Sequence, residues 1–490
     1  MKANEQTRYR QKSKHPPAKP GALNVRRKGD ADSFTLLLIA CYQKMTFYLG
    51  LDFGTSSARA CAVDKAKNIV HQYSINYPTD RSETARTLGM SDMPGMSGTL
   101  QTPLDWRAAL HSMLINLPPD VAGNLAGVAI AATSATVLLC DDELEPTSPA
   151  LMYFDSRAQT VINEIQRIAP PDHITRSTTS ALAKFLWLMK HIDLTHTTYF
   201  MHQADWLTAL LTGQGGISDY HNALKSGYDV ENLCWPEWVQ NLPYAHLLPA
   251  VVAPGTVLTT IHPVVAAHFN INPACLIHAG TTDSIAAFIA TGIDKPGAAV
   301  SSLGTTIVLK LLSTKRVESA QYGVYSHRYG DLWLVGGASN AGGGVLRQYF
   351  SNTQLEMLSA QINPKIDSPL DYYPLPRAGE RFPINDPTCL PRLTPRPESA
   401  VEFLHGLLQG LTRIESAGYD RLCELGASPL RAVATCGGGA KNNIWHEMRA
   451  RQLKVPVTVA AHTEAAYGAA MLALRHGYEN LHLNGIGYAA

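Results

Sequence analysis

One pattern occurs twice in this chain: an apolar strand, a turn of glycine followed by hydroxyl residues, and a second strand. The first copy, TFYLGLDFGTSSARACAVD, starts directly after Met45, and the second, GAAVSSLGTTIVLKLLS, runs from Gly297 to Ser313. Strand residues flanking Gly54-Thr55-Ser56 and Gly304-Thr305-Thr306 are the signal of a β-hairpin. One such hairpin is weak evidence, because surface turns favour Gly, Ser and Thr for conformational reasons alone. Two of them, each opening a half-chain, point to a duplicated architecture. The length of 490 residues agrees, being too great for a single core.

Between the hairpins, strands alternate with helices. GVAIAATSATVLLCD (Gly127 to Asp141) reads as another strand pair, and TSALAKFLWLMKHI (Thr179 to Ile192) has helical apolar spacing. A mixed α/β fold follows. Pro296 and Gly297 interrupt the chain at Ile293-Asp294-Lys295-Pro296-Gly297, which is expected to be a hinge between lobes at residues 45–293 and 297–480. A proline-rich zone from Asn363 to Pro397 reads as a long surface excursion, since helical periodicity resumes at Val401. Residues 1–44 stand apart, with ten Lys/Arg against three Asp/Glu. They are expected to be a disordered extension or a mis-assigned start, a targeting segment and a basic arm being the other readings, and no function is placed there.

Composition excludes several classes. With 45% hydrophobic and 17% charged residues the chain is neither disordered nor fibrous. A net charge of +1, with both signs scattered beyond residue 44, offers no basic face for nucleic acid, so the expected partner is a small molecule. The eight cysteines include no CxxC and are read as reduced thiols without a zinc site. The longest N-terminal apolar run, Phe34 to Tyr42, is about half the ~18 residues a membrane helix needs. The expectation is a soluble cytoplasmic protein without a membrane partner, monomeric or homodimeric, or a plastid one if residues 1–44 are a transit peptide. There is no GxxxxGK[ST], no HRD with DFG, no GxSxG and no GxGxxG.

Four clusters can carry chemistry. Asp52, Gly54, Thr55, Ser56, Ser57 and Arg59 form a turn whose N–H groups and hydroxyls can cradle an anion, with an acid at the preceding strand's end able to hold Mg²⁺ directly or through water. Thr305 and Thr306 form a second cradle. Asp283, in HAGTTDSIAAF, is either a helix-capping acid or a carboxylate pointing into a cleft to take the proton of a substrate hydroxyl. Gly437-Gly438-Gly439-Ala440, between a strand and a helix, permits close approach of a flat or phosphorylated ligand. Each alone has a purely structural reading; together they read as a nucleotide and alcohol site.

From about Phe47 to Leu474 the chain resembles the FGGY family of carbohydrate kinases. The motifs are LDFGTSSAR, HAGTTDSIAAF, SSLGTTIVL, YYPLPRAGERFP and ATCGGGAKNNIW, in family order. The resemblance implies two ribonuclease-H-like lobes of the actin, hexokinase and Hsp70 ATPase type, closing on ATP, Mg²⁺ and a sugar. It implies Asp283 as the base and Asp52 beside Mg²⁺ and the substrate. Ser56, Ser57, Ala58 and Arg59 would lie on the substrate side. Thr55, Thr305 and Thr306 would face phosphates, and Gly437, Gly438, Gly439, Ala440, Lys441 and Asn442 would line the nucleotide. LDFGTSSAR, ATSATVLLCD, YFDSRA and SDYHNALKSGYD look most like the D-ribulose kinase branch. Typical bacterial xylulose kinases carry Gln-Met-His-Gly where this chain has Ala132-Thr133-Ser134-Ala135-Thr136, so D-ribulose is expected, with D-xylulose or another pentulose or polyol as the alternative. Arg59, Asp155, Arg157 and Asn222 are further cleft candidates, the two arginines reading equally as structural ion pairs. A non-catalytic ATP-dependent switch on the same fold is the alternative of another class.

Overall fold

The computed structural model describes residues 45–78 and 101–475; the extension at residues 1–44 lies outside them. Strands β1 (Phe47–Phe53) and β2 (Ser57–Asp64) form the first hairpin, with Asp52 opposite Arg59 and Phe53 opposite Ala58. Every residue of β1 is buried, which is why FYLGLDF reads as a nearly continuous apolar run: the strand is covered on both faces. Strand β3 (Ile69–Asn76) adds to β2 and alternates between exposed and half-buried positions, the signature of an edge with one wet face.

Helix α1 (Pro103–Ile115) leads to β4 (Leu125–Ala132), which runs parallel to β1. The expected strand pair of residues 127–141 is divided between two sheets. Strand β5 (Val137–Cys140) pairs instead with β6 (Tyr199–His202). The cause is a turn in which Ala135 adopts φ 61° and the Thr136 N–H returns to the Thr133 carbonyl, redirecting the chain before β5. Helix α2 (Ala181–His191) forms where its spacing predicts, started by the Ser180 hydroxyl accepting from the Ala183 N–H. Helix α3 (Gln203–Thr212) follows β6, and β7 (Ile217–Asp219) pairs with β8 (Ala250–Val252). Strands β9 (Val257–Thr260), β10 (Leu276–His278) and β11 (Thr281–Thr282) complete the first large sheet and lead into helix α4 (Asp283–Ala290).

The second sheet starts again with a hairpin, β12 (Ala298–Leu303) and β13 (Ile307–Ser313), followed by β14 (Tyr325–Tyr329) and β15 (Leu332–Ala338). Helix α5 (Gly343–Tyr349) precedes the proline-rich zone, in which residues 363–397 form neither helix nor strand. Helix α6 (Ala400–Glu424) then begins behind a Ser399 cap. Strand β16 (Ala432–Cys436), helix α7 (Asn443–Leu453), strand β17 (Val457–Val459) and helix α8 (Ala465–Arg475) follow.

The sheet orders are β3-β2-β1-β4-β10-β9, with β11 also on β4, and β14-β15-β13-β12-β16-β17. In each, an antiparallel hairpin (β1–β2, β12–β13) carries a third antiparallel strand outside it (β3, β15). On the other flank lie strands parallel to the first (β4, β10 and β11 in one sheet, β16 and β17 in the other). The repeated sequence pattern is thus a repeated topology.

Helix α8 packs on β1, β4 and β2 of the first sheet and against α4. The contact is backbone on backbone. A Cβ placed on Gly50 would lie 1.9 Å from the Ala466 carbonyl oxygen, and one on Gly468 would lie 1.8 Å from that of Ala286. Ala131, Ala286, Ala465 and Ala469 form the small cluster around these glycines. Overpacking of this kind costs about 1–3 kcal/mol or more. Gly50→Ala and Gly468→Ala are therefore each expected to lower stability by at least ~2 kcal/mol in urea unfolding. Gly123→Ala, at a position with open space, should stay within about 0.5 kcal/mol. A junction variant as stable as the Gly123 control would refute this account.

Candidate active site

The register of the first sheet brings two acids together. Asp52 on β1 and Thr281 on β11 both lie opposite Ala131 of β4, so their backbones are two strands apart, roughly 9–10 Å. Asp283 follows Thr282 as the first residue of α4. Asp52 is 5% exposed, and its Oδ1 is buried without a hydrogen-bond partner. Burial first, then the charges of Asp283 and Glu464, push its carboxyl up to about 7 against the pull of Arg59.

The turn after Asp52 is braced from behind. Gln101, buried, donates from Nε2 to the carbonyls of Gly54 (3.1 Å) and Thr55, while its Oε1 accepts from the Trp106 indole at 2.6 Å. The Thr55 hydroxyl meets the Tyr153 hydroxyl at 3.5 Å. Ser56 is exposed and Ser57 buried. The Ala58 side chain, expected on the substrate side, points instead into the apolar core of the first sheet, because strand alternation sends it opposite to Ser57 and Arg59. Arg59 pairs with Glu464 at 3.0 Å, both half-exposed, so it bridges β2 to the start of α8.

Asp283 is not the cap of its helix. Thr282 holds that place without a side-chain bond, and Asp283 accepts the Ser284 N–H on Oδ1 at 2.6 Å. Burial raises its carboxyl, opposed by that hydrogen bond and by the charges of Lys310 and Lys225. Lys310, on β13, donates to the Ser284 carbonyl. Neither lysine was singled out from sequence; the signal was a lone charge inside IVLKLLS.

The second hydroxyl turn is packed against glycines. The N–H groups of Gly343 and Gly344 donate to the carbonyls of Gly304 (2.9 Å) and Thr305 (3.0 Å), and a Cβ on Gly343 would come within 2.8 Å of the Gly304 oxygen. Thr305 is exposed and its hydroxyl accepts from Arg347 at 2.8 Å; Thr306 is half-buried. Beside this turn lies a cavity of about 720 Å³, whose walls include Gly304, Arg347, Gly438, Gly439, Lys441 and Asn442. Thr305, Thr306, Gly437 and Ala440 are not among its walls. Gly437 has φ 82° and comes within 2.8 Å of the Leu303 oxygen at its notional Cβ, while Gly438 faces open space. Asn442 caps α7 by accepting the Trp445 N–H and donates to Ser359. Helix α7 is anchored by a buried pair, Arg449 to Glu415 of α6 at 2.6 and 2.7 Å.

The remaining cleft candidates are held by bonds within the first lobe, Asn222 keeping a buried Oδ1 without a partner. Asp155 is buried and grips Arg157, whose guanidinium also lies over the Trp187 ring. Asn222 is fully buried and donates to Asp219, whose carboxyl burial and Asp205 push up to about 7. Lys184, unflagged in the sequence, is fully buried on α2 and donates to the carbonyls of Ala135 and Met152 at 2.7 Å each, tying the segment after β4 to the one that carries Asp155.

Among the described residues no three or more His, Cys, Asp or Glu converge as a metal cage. One buried, unpartnered carboxylate oxygen on Asp52 suits an ion that brings phosphate and water ligands of its own, which is the habit of Mg²⁺. No helix among the described residues is long and apolar enough to cross a membrane.

Residues 47–290 match the N-terminal domain, and residues 299–476 the C-terminal domain, of the FGGY family of carbohydrate kinases. A xylulose kinase of Staphylococcus epidermidis is 23% identical over 448 residues, 87% of each chain. The structure of a xyloylose kinase from Brucella ovis superposes with a TM-score of 0.74 at 22% identity, covering 88% of this chain and 90% of that one. A gluconate kinase from Lactobacillus acidophilus gives 0.73 at 17%, covering 88% and 89%. These likenesses establish the two-domain actin/hexokinase-like fold expected from the sequence.

Burial pulls the Lys184 ammonium down to about 7 from its ordinary 10.5. Above pH 7 the unfolded chain then binds the proton that the folded chain has lost, so this group adds stability as pH rises from 7 towards 10.5. Lys184→Met should flatten that part of the stability–pH curve, measured by urea unfolding between pH 7 and 9. An unchanged slope would overturn the assignment.

Proposed function

We propose, from the premise that this chain belongs to the FGGY family of carbohydrate kinases, that it transfers the γ-phosphoryl group of ATP to the terminal hydroxyl of a ketopentose, D-ribulose giving D-ribulose 5-phosphate. The observation that carries this reading is the pair Asp52 and Asp283, brought to one end of the first sheet on either side of β4, with the Asp283 charge helping to raise the Asp52 carboxyl.

In this reading Asp283 is the base. Its Oδ1 is taken by the Ser284 N–H, which leaves Oδ2 to orient the sugar hydroxyl and accept its proton. In a loose transition state the proton leaves late, so an ordinary carboxylate suffices and alignment does most of the work. Thr55 and Ser56 on one side and Thr305 and Thr306 on the other present donors to the phosphate oxygens. Gly438, Gly439, Lys441 and Asn442 line the adenosine. Asp52 would hold Mg²⁺ directly or through water, and the ion would supply neutralisation of phosphate charge.

The preference for D-ribulose is supported by what Thr133 and Ser134 offer. The Thr133 hydroxyl is within 2.6 Å of Thr136 and 2.7 Å of Gln203, so it is spent internally. The Ser134 hydroxyl is buried without a partner. The polar contacts that Gln-Met-His-Gly would supply to a xylulose-like sugar are missing. D-xylulose is the second reading, favoured by the xylulose kinase among the relatives.

The test is sugar-stimulated ADP release by the full chain with Mg²⁺ATP and D-ribulose, D-xylulose, L-ribulose, ribitol, xylitol, gluconate and glycerol. D-ribulose should give the highest kcat/KM. A preference for D-xylulose would overturn the reading of Thr133 to Thr136, and ATP binding without stimulation by any sugar would point to a nucleotide-dependent switch. Asp283→Ala should lower kcat by roughly 10²–10⁴-fold with ATP affinity unchanged. Near-normal turnover in that variant would remove Asp283 from the role of base.

A further inference from the structure

We infer that Lys310 is a positioning residue that reaches from the second lobe into the first and sets the carboxylate of Asp283 through Ser284. This rests on the sugar kinase reading of Asp283 but adds a residue to it.

Strand β13 alternates. Leu309 and Leu311 face the core of the second sheet, whereas Leu312 packs in a different cluster with Ile285 and Phe288 of α4. Lys310 shares the Leu312 face and so looks towards the first lobe. Its ammonium donates to the Ser284 carbonyl, while the N–H of the same Ser284 donates to Asp283 Oδ1. One residue is therefore held at both ends: a cation from the opposite lobe fixes its carbonyl, and its amide fixes the base.

Packing alone does not account for a lysine at this place. The first turn of a helix is the positive end of its dipole, and a cation there is disfavoured. Lys310 is half-buried, and this desolvation pulls its pKa down to about 8, the Asp283 charge being the chief opposing influence. A methionine of similar length would fill the space without either cost. One of its three N–H groups is given to the Ser284 carbonyl, and its charge adds to that link by lowering the Asp283 carboxyl through space.

The second link is mechanical. The hairpin β12–β13 carries the turn Gly304-Thr305-Thr306 at its tip, and Lys310 lies four residues past Thr306 on the same strand, roughly 13 Å away. A shift of that turn onto phosphates moves the lysine with it. The base is then held in its working rotamer when the phosphate turn is in place.

The experiment compares wild type, Lys310→Met and Lys310→Arg in the full chain. The first readout is sugar-dependent ADP release: Lys310→Met should lower kcat at least 30-fold, an order-of-magnitude expectation for lost positioning, with KM for sugar and the ATP dissociation constant within threefold. Lys310→Arg should recover most of kcat. Wild-type kcat should fall as pH rises through about 8, as Lys310 loses its proton, and Lys310→Arg should move that limb upward because arginine stays charged. Asp283, Lys225, Cys436, His221 and His327 are the other groups that share this field, and the two variants leave them all in place. The second readout needs no turnover: amide exchange across residues 282–287 should rise in Lys310→Met and return in Lys310→Arg. Failure of every sugar to stimulate ADP release would sink the sugar kinase reading and leave the exchange measurement to decide the role of Lys310. Unchanged exchange, or a Lys310→Met enzyme within twofold of wild-type kcat, overturns the inference. If Lys310→Met does not fold, Lys310→Gln takes its place under the same criteria.

Discussion

The close approach of α8 to β1 and α4 is the constraint on which the cleft depends. Asp52 sits two residues beyond Gly50, Glu464 directly precedes α8, and Asp283 opens the helix that Gly468 touches. The three acids belong to three segments far apart in sequence, and their separation is set by backbones in contact rather than by side chains that could relax. Glycine is required there because any Cβ would lie inside another residue's carbonyl. The raised carboxyl of Asp52 follows from its own burial in β1, with the charges of Asp283 and Glu464 added to it.

The two lobes solve the problem of buried charge differently. In the second, Arg449 and Glu415 meet in a bidentate pair, with Thr435 and Ser301 supplying further bonds, so that α7 and the glycine turn before it are located by a satisfied network. In the first, the Lys184 ammonium donates to two backbone carbonyls, and Asp52 has a buried oxygen without a hydrogen-bond partner. The satisfied network anchors the helix that follows the glycine turn in the wall of the 720 Å³ cavity. The incompletely satisfied Asp52 oxygen lies on β1 of the first sheet, buried where the fold offers it no donor.

Much of the fold was legible because its signals are local. The two hairpins, α2 with its serine cap, and α6 after the proline-rich zone all follow from period and punctuation. Asp283 and the glycine turn could be found because strand, turn and helix are contiguous there. The orientation of Ala58 was also within reach, since a period of two separates it from Ser57 and Arg59. What could not be read is pairing at a distance. Nothing in AAYGAAMLALR says that its small residues cover β1, and nothing in IVLKLLS says which carbonyl its lysine reaches. The divided strand pair at 127–141 failed for a similar reason: period two identifies strands but not partners, and a single residue with positive φ was enough to separate β4 from β5.

The placement of α8 also orders events during synthesis. The strand it covers, β1, is among the first segments of the described chain to leave the ribosome, and α8 is the last. Until that helix emerges, the central strand of the first sheet has one unprotected apolar face, and the nascent chain must keep it from other chains while more than four hundred further residues are added. Chain elongation at about 5–20 residues per second makes that an exposure of tens of seconds. The first lobe is thus begun early and finished last, which makes it the half of this molecule most dependent on protection by chaperones and most damaged by premature termination.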